Sequence, residues 1–364
     1  MTLASLENKA AAGDVHAQIV LAERLDAEGR HEDALNWLAK AAQTGDAEAL
    51  TRVGKRLITG ENAPAMPAQG GGLLSDAVNA GGGEAAAVLS VLAAVGLYRP
   101  QSWPAALDLL QRAAELGWAP AQAQLRILAS EAGRSAGEDW ASLRRTIDLD
   151  AWLRPAQPTR TLSETPRLQV FEGFMPTEVC DWVTAQARDR LVRAEIYGAG
   201  QSRSLTDPSR TNTTANFTLV ETNLINLLIQ AKIGASVGAS LAKMEAFNVL
   251  HYDVGEEFVD HFDFLDPAVP AYAAEIAQVG QRAASFLLYL NDDYEGGETA
   301  FPKLGLSYRG DTGDGFFFTN VHEDTGMPDV RSAHAGRTPT AGQKWVLTQF
   351  IRSRPGVGPG SSVA

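Results

Sequence analysis

The first third of the chain repeats a pattern of small and apolar residues. Equivalent positions stand 36 residues apart in three segments: Gly45, Gly81 and Gly117; Ala49, Ala85 and Ala121; and Val53, Leu89 and Leu125. A glycine of this kind ends a helix in a left-handed conformation, and the apolar residues after it recur at helical spacing and fill the groove between helices. Self-similarity at this period predicts an all-α array of stacked helical pairs over residues 1–130.

Two stretches interrupt or end this helical pattern. Residues 62–72 contain two prolines and three consecutive glycines, which predicts a flexible loop between helices. Over residues 131–165 the periodicity fades, a helix resumes at 139–152, and a segment rich in proline and threonine follows. We expect residues 131–165 to connect two domains.

Strand-like alternation replaces the helical pattern from Pro166 onward. One helix is predicted over 175–191, with Thr177 as its N-cap, and another over 222–238. Short apolar runs at 242–252, 282–291, 313–320 and 343–352 are separated by glycine and aspartate and predict antiparallel strands. Residues 166–354 are therefore expected to form a β-barrel or jelly roll with supporting helices, followed by a flexible tail at 355–364.

Composition narrows the classes of protein that remain. A net charge of -13 argues against a binder of nucleic-acid backbones, which needs a basic face. Cys180 is the one cysteine, so no intrachain disulfide can form. The N-terminus lacks the apolar core of a signal peptide, and no apolar run is long enough to span a bilayer. We expect a cytoplasmic protein with neither a nucleic-acid nor a membrane partner.

His261 and Asp263 are the first candidate site residues. Side chains two positions apart point to the same side of an extended strand, so these two can share one face of a metal ion. His334 is the natural third ligand. Two histidines and one carboxylate that leave positions open favour Fe(II) and oxygen chemistry over a closed zinc site.

Lys344 is the second candidate, because it opens an otherwise apolar strand. A lysine in that place must find an anion or reach solvent. A carboxylated co-substrate would supply the anion. His251 precedes Tyr252 and by the same alternation should point away from it.

Residues 166–354 resemble the Fe(II)/2-oxoglutarate oxygenase domain of the prolyl 4-hydroxylase family. The motifs that carry the resemblance are, in order, Y-x-x-G at 252–255, H-x-D at 261–263, R-x-x-S-x-x-x-Y-L-N at 282–291, G-G-x-T-x-F-P at 296–302, H-A-G at 334–336 and G-x-K-W at 342–345. Residues 1–130 resemble Sel1-like repeats, relatives of the tetratricopeptide repeats. Together these resemblances imply a helical-repeat solenoid followed by a double-stranded β-helix, or jelly roll.

The resemblance also implies roles for individual residues. Iron(II) would be held by His261, Asp263 and His334, with no catalytic residue beyond this metal centre. The co-substrate 2-oxoglutarate would be bound by Lys344, helped by Tyr252 and Thr299. Molecular oxygen and ascorbate complete the expected cofactors.

The substrate side departs from the family. Arg282, which in the family faces the peptide, is kept, whereas Phe258, Phe350 and Arg352 stand where a tyrosine, a tryptophan and a histidine are usual. Hydroxylation of peptidyl proline, with the repeats docking a protein substrate, is the leading interpretation. The alternatives are hydroxylation of another residue or of a small molecule, and a non-catalytic repeat adaptor.

Overall fold

The computed structural model describes residues 2–130, 139–197, 204–205 and 207–355. Residues 131–138 of the predicted linker and 356–364 of the predicted tail lie outside this described part. The chain forms two compact units, Met1–Leu149 with Leu219–Leu227 and Asp150–Thr218 with Leu228–Ala364. No helix of the described residues has both the length and the apolar character needed to cross a bilayer.

Helices fill the first unit and support the second. They are α1 (Leu3–Ala11), α2 (Val15–Ala27), α3 (His31–Gln43), α4 (Ala47–Thr59), α5 (Pro67–Asn79), α6 (Gly83–Val95), α7 (Trp103–Glu115), α8 (Ala119–Ser130), α9 (Trp140–Thr146), α10 (Leu149–Leu153), α11 (Thr177–Arg188), α12 (Leu224–Val237) and α13 (Pro270–Val279). From α1 to α9 each helix packs against the next one in the chain. The predicted array of stacked helices is confirmed.

The repeated glycines and alanines have the predicted roles. Gly45, Gly81 and Gly117 have φ of 82°, 95° and 85°, the left-handed conformation that a helix end requires. The alanines four positions later, at 49, 85 and 121, are fully buried where neighbouring helices meet. Side-chain caps begin several of the helices that follow: Asp46 accepts the N–H of Ala49, and Ser102 accepts that of Ala105.

The loop predicted over residues 62–72 is wrong in its second half. Helix α5 begins at Pro67 and contains all three glycines. The reason lies in packing against α4, because a Cβ added at Gly70 would lie 2.7 Å from the carbonyl oxygen of Gly54. Glycine is used here so that two backbones can approach closely, and burial against α4 offsets its low helix propensity.

The second unit consists mainly of short strands. They are β1 (Arg160–Glu164), β2 (Arg167–Phe171), β3 (Val192–Arg193), β4 (Ile196–Tyr197), β5 (Ser204–Leu205), β6 (Thr213–Asn216), β7 (Asn248–Tyr252), β8 (Phe258–His261), β9 (Arg282–Tyr289), β10 (Glu295–Gly296), β11 (Thr299–Phe301), β12 (Leu306–Tyr308), β13 (Gly315–Thr319), β14 (His334–Gly336), β15 (Pro339–Ala341) and β16 (Lys344–Arg352). Helix α11 begins at Thr177 with Pro176 in the N-cap position, so the prediction that Thr177 caps this helix is wrong by one residue.

Two antiparallel sheets enclose the core of this unit. The larger has the order β1-β2-β13-β9-β16-β7-β6-β3, and the smaller has the order β12-β11-β14-β8. Side chains of both sheets form one buried cluster, with Leu250, Tyr289 and Val346 from the larger and Phe301 and Tyr308 from the smaller. The predicted jelly roll is confirmed. Its inner faces carry the candidate site.

Candidate metal centre

The smaller sheet brings the three predicted metal ligands together. His334 begins β14 directly opposite His261, the last residue of β8. Asp263 follows two residues later, with Oδ1 3.6 Å from His261 Nε2 and Oδ2 3.5 Å from His334 Nε2. The candidate ligand atoms all lie within 4.8 Å of one another, as a single ion bound by all three would require.

Backbone carbonyls orient both imidazoles. His261 Nδ1 lies 2.8 Å from the carbonyl oxygen of Val259, and His334 Nδ1 lies 3.0 Å from that of Ser332. A carbonyl can only accept a hydrogen bond, so each Nδ1 carries the hydrogen and each Nε2 keeps its lone pair. Both lone pairs are then free for a metal, the usual arrangement for ligating histidines.

Asp263 is held by a chain of hydrogen bonds. Ser285 Oγ donates to its Oδ2 over 2.6 Å, and Asn320 Nδ2 donates to Ser285 Oγ over 2.9 Å. Burial alone would raise the pKa of the Asp263 carboxyl, but His334, His261 and Ser285 outweigh it and hold the pKa below its usual range. The residue is therefore an anion even though it is buried.

The protonation states fit a divalent metal. Burial lowers the pKa of His334 to about 4, against the opposing pull of Asp263, so this imidazole is neutral near neutral pH. Metal binding needs neutral imidazoles and an ionised carboxylate. The donor set of two nitrogens and one carboxylate suits non-haem Fe(II). Three protein ligands leave further coordination positions open for exogenous ligands.

Lys344 lies in the same cavity as this cluster and is almost completely buried. It begins β16 opposite Tyr252 of β7, and its exposed fraction is 1%. Its Nζ donates to the carbonyl oxygen of Gly297 over 2.8 Å and makes no ion pair with any described residue. Burial lowers the pKa of Lys344 to about 8, against the opposing effect of Glu298. Within the described residues the ammonium group therefore has no counter-ion, although a buried charge is costly without one.

Two tyrosine rings lie close to that ammonium. The Nζ of Lys344 lies 5.3 Å from the centre of the Tyr252 ring and 5.8 Å from that of Tyr289. Tyr289 Oη lies 3.0 Å from Thr299 Oγ1. Burial raises the pKa of Tyr252 to about 12, so its phenol keeps its hydrogen and can donate. Lys344, Tyr252 and Thr299, which the family resemblance assigned together to the co-substrate, all line this cavity.

The cavity has a volume of about 980 Å³ and includes the predicted substrate residues. Alternate residues of β16 face it: Lys344, Val346, Thr348, Phe350 and Arg352. At one end the Phe258 ring stacks on His261 with 3.5 Å between ring centres. Phe258, Phe350, Arg352 and Arg282 thus all line the space next to the metal cluster.

Glu245 organises the far end of the cavity. It accepts two hydrogen bonds from Arg282, over 2.8 and 2.9 Å, and forms an ion pair with Arg352. Arg352 also pairs with Glu275 of α13, and the Arg282 guanidinium lies 4.1 Å from the centre of the Phe350 ring. Sequence reasoning missed Glu245 as a site residue. Its one signal was a carboxylate at the start of an apolar strand.

Arg210 is a second residue that was not predicted for the site. Its guanidinium lies 4.6 Å from the centre of the Phe258 ring, on the cavity wall. It donates to Asn212 Oδ1 and to the carbonyl oxygen of Glu195. A polar loop around Arg210 gave no periodicity from which its position could be inferred.

Comparisons with known proteins agree on the second unit. Residues 247–352 match the family described as the 2OG-Fe(II) oxygenase superfamily. Probable prolyl 4-hydroxylase 9 of Arabidopsis thaliana is 31% identical over 214 residues, covering 54% of this chain and 72% of the relative. Prolyl 4-hydroxylase 1 of the same plant is 29% identical over 207 residues, covering 53% and 71%.

Two solved structures are similar to parts of this chain at low identity. The viral collagen prolyl hydroxylase vCPH from Paramecium Bursaria Chlorella virus-1, in its 2OG complex, is 24% identical over 51% of this chain and 95% of that one, with a TM-score of 0.40. A Sel1 repeat protein from Oxalobacter formigenes is 20% identical over 42% of this chain and 66% of that one, with a TM-score of 0.33.

Proposed function

Because the chain belongs to the prolyl 4-hydroxylase family of Fe(II)- and 2-oxoglutarate-dependent dioxygenases, we propose that it hydroxylates prolyl residues of a protein or peptide. One observation carries the proposal. A buried lysine that forms no ion pair with a described residue shares a cavity with two imidazoles and an ionised carboxylate. The adaptor alternative is set aside, since the chain is an enzyme by family.

His261 and His334 would hold Fe(II) through Nε2, and Asp263 through its carboxylate. When bound, iron and 2-oxoglutarate supply the oxidation of a substrate C–H bond by O₂, with 2-oxoglutarate converted to succinate and carbon dioxide. Ascorbate is expected to keep the iron reduced. The contribution of this chain is to fix the ligands, bind the co-substrate and exclude water.

Lys344 would bind the carboxylate of 2-oxoglutarate that lies farther from the iron. Its ammonium has one carbonyl partner and room for an anion, and a charge-assisted hydrogen bond in a buried site is strong. Tyr252 and Thr299 would add hydroxyl donors to the same carboxylate. This assignment explains why a lysine is tolerated where 1% of its surface is exposed.

Unpaired hydroxyls on the cavity wall support a peptide substrate. Thr214 Oγ1 on β6 and Thr348 Oγ1 on β16 are buried, line the cavity and have no hydrogen-bond partner among the described residues. Asn216 and Asn248 stand opposite each other on β6 and β7 in the same wall. Backbone amides of a peptide would satisfy such groups, whereas a purely apolar ligand would leave them unpaired.

A second candidate, hydroxylation of a residue other than proline or of a small molecule, is favoured by one observation. Arg352 occupies the position where the family usually has histidine, and Glu245 and Glu275 neutralise it. The Arg352 side chain therefore fills more of the far end of the cavity than a histidine side chain would. The Arg352 substitution would affect which substrate residue fits into the cavity. It would not affect the chemistry at the iron.

We further propose that the helical repeats dock the protein substrate. Stacked helical pairs present an extended surface that single domains lack, and such surfaces commonly bind peptides and proteins. Deleting the repeats should then raise KM for a protein substrate while leaving KM for a short peptide unchanged. Equal changes for both would argue against docking.

Turnover of proline-rich peptides tests the proposed activity. The full chain with Fe(II), ascorbate and 2-oxoglutarate should release succinate, and mass spectrometry should find one added oxygen on prolyl residues. His261→Ala should abolish both signals, whereas His16→Ala, at an exposed position of α2, should change neither. Oxygen found only on other residues or on small molecules would support the second candidate instead.

A further inference from the structure

A second group of metal-binding side chains lies on the opposite face of the strand that carries Tyr252. It consists of His251, Asp253 and Glu256, whose candidate ligand atoms lie within 4.8 Å of one another. His251 Nε2 is 3.9 Å from Asp253 Oδ1. Because side chains alternate along β7, His251 points away from the cavity that Tyr252 faces. None of the three lines that cavity.

The imidazole of His251 is buried, and its Nε2, which faces the carboxylates, has no hydrogen-bond partner in the described part of the chain. Its exposed fraction is 5%, and its ring packs against Trp345 with 4.3 Å between centres. Nδ1 lies 3.0 Å from Thr213 Oγ1, but Nε2 has no hydrogen-bond partner among the described residues. If the threonine hydroxyl accepts the Nδ1 hydrogen, the Nε2 lone pair faces Asp253, as in the two histidines of the first cluster.

The two carboxylates are arranged to accept a cation. The backbone N–H of Asp253 binds Glu256 Oε2 over 2.9 Å, which leaves Oε1 available. Gln343 Nε2 donates to Asp253 Oδ1 over 2.7 Å and so orients this carboxylate without neutralising it. Glu256 Oε1 also has a distant ion-pair partner in Arg193, whose Nη1 is 3.9 Å away. Two carboxylates and one distant guanidinium leave net negative charge beside the buried nitrogen.

We propose that His251, Asp253 and Glu256 form a second binding site for a divalent cation, with Zn²⁺ the best match to one imidazole and two carboxylates. Zinc takes this mixture of nitrogen and oxygen ligands and completes its tetrahedron with water. The ion can enter from solvent because the side chain of Asp253 is 56% exposed. It would tie the turn at residues 253–256 to the end of β7, and it would satisfy the unpartnered Nε2.

Zinc stoichiometry tests the site separately from the iron cluster. The full-length double variant His261→Ala/His334→Ala, dialysed against Zn²⁺ and analysed for metal, should keep one zinc per chain. Adding His251→Ala should remove it, and adding His16→Ala should not. A double variant without bound zinc, or one whose zinc survives His251→Ala, would overturn the proposal.

A second, milder variant distinguishes loss of the zinc site from misfolding caused by His251→Ala. Asp253 is exposed, so Asp253→Asn in the double-variant background should leave the metal-free melting temperature unchanged. Its zinc affinity should fall about tenfold or more, because a neutral amide replaces a charged ligand. An unchanged affinity would exclude Asp253 as a ligand and overturn the site as proposed.

Tryptophan fluorescence locates the ion. Cobalt(II) quenches an indole that it lies close to, and His251 packs against Trp345. Adding Co²⁺ to the double variant should quench part of the emission, and this quenching should vanish in Trp345→Phe although cobalt still binds. Cobalt that binds without quenching Trp345 would place the ion elsewhere and contradict the proposal.

Discussion

Lys344 and Tyr252 face each other across β16 and β7, with the lysine Nζ 5.3 Å from the centre of the tyrosine ring. The pair encloses an ammonium that has a carbonyl partner and no ion pair with a described residue. A buried, unpaired cation weakens the fold unless an anion joins it. If 2-oxoglutarate binds here as proposed, its carboxylate would supply the negative charge that the buried ammonium lacks among the described residues.

Replacing Lys344 by methionine should weaken 2-oxoglutarate binding without lowering the stability of the fold. We expect the affinity for 2-oxoglutarate to fall by about 30-fold or more, since truncating one partner of a buried charge pair costs about 2–5 kcal/mol. The metal-free melting temperature should stay the same or rise, because the unpaired ammonium is removed. Calorimetric titration and thermal unfolding measure the two effects. Lys9→Met, at an exposed position of α1, is the matched control. If Lys344→Met bound 2-oxoglutarate with wild-type affinity, the assignment of Lys344 to the co-substrate site would be wrong.

The affinity for 2-oxoglutarate should decrease as the pH rises above the pKa of Lys344. The empty site has a Lys344 pKa of about 8, and the carboxylate binds the protonated form. Affinity should be flat below that value and should fall by up to about tenfold per pH unit above it, with a proton taken up on binding. Titrations in buffers of different ionisation enthalpy measure that uptake. The Lys344→Met variant should lose this dependence, and a flat wild-type profile up to about pH 9 would contradict it.

Ser285 should contribute to metal binding without touching the metal. Its hydroxyl donates to Asp263 and accepts from Asn320, so Ser285→Ala frees the carboxylate to rotate. We expect Fe(II) affinity to fall by about 10–100-fold, the usual effect of removing a partner of a ligand. Metal content after dialysis at graded Fe(II) concentrations measures it. Ser75→Ala, at an exposed position of α5, should have no effect. Equal metal retention in both variants would show that Asp263 does not need this support.

Glu245→Gln should destabilise the second unit and disturb its substrate end. The variant leaves Arg282 and Arg352 without their shared counter-ion, a loss of about 3–5 kcal/mol for a buried pair. Burial would raise the pKa of Glu245, but the two arginines outweigh it and lower the pKa. The stabilisation is therefore present above the unfolded pKa and is lost as the pH falls through the lowered folded value. Urea unfolding at several pH values checks this, with Glu7→Gln on the exposed face of α1 as control.

Two glycines of α5 should respond oppositely to alanine. In Gly70→Ala the new methyl would lie 2.7 Å from the Gly54 carbonyl oxygen, so the helices must separate, and we expect a loss of about 1–3 kcal/mol. Gly71→Ala meets nothing within 4 Å and should gain about 0.5–1 kcal/mol from helix propensity. Thermal unfolding of both variants measures the difference. Similar effects at the two positions would mean that α4 and α5 do not pack as described.

The metal cluster could be predicted from sequence because strand geometry has a period of two. Spacing alone put His261 and Asp263 on one side, and His334 was the natural third ligand. The same alternation placed Phe350 and Arg352 on the side of Lys344, where they line the cavity. Tyr252 and Thr299 were expected only from the family resemblance, and both line the same cavity.

The features that could not be predicted from sequence depend on contacts between segments that are distant along the chain. The glycines at 70–72 looked like a loop because Gly54, against which Gly70 packs, lies on another helix. Glu245 drew no notice because its two arginines are 37 and 107 positions away in the chain. The carbonyls that orient His261 and His334 belong to no side chain, so no residue type could reveal them.

Strand β16 carries Lys344, the proposed partner of the co-substrate, with Phe350 and Arg352 on the same cavity-facing side and Trp345 on the other. It pairs with β7 on one edge and with β9 on the other, so its register is fixed from both sides. One residue inserted between Lys344 and Phe350 would turn Phe350 and Arg352 to the outer face while the lysine stayed in place. New substrate preferences in this lineage should therefore arise by exchanging side chains along β16, whereas insertions and deletions within it should be eliminated by selection.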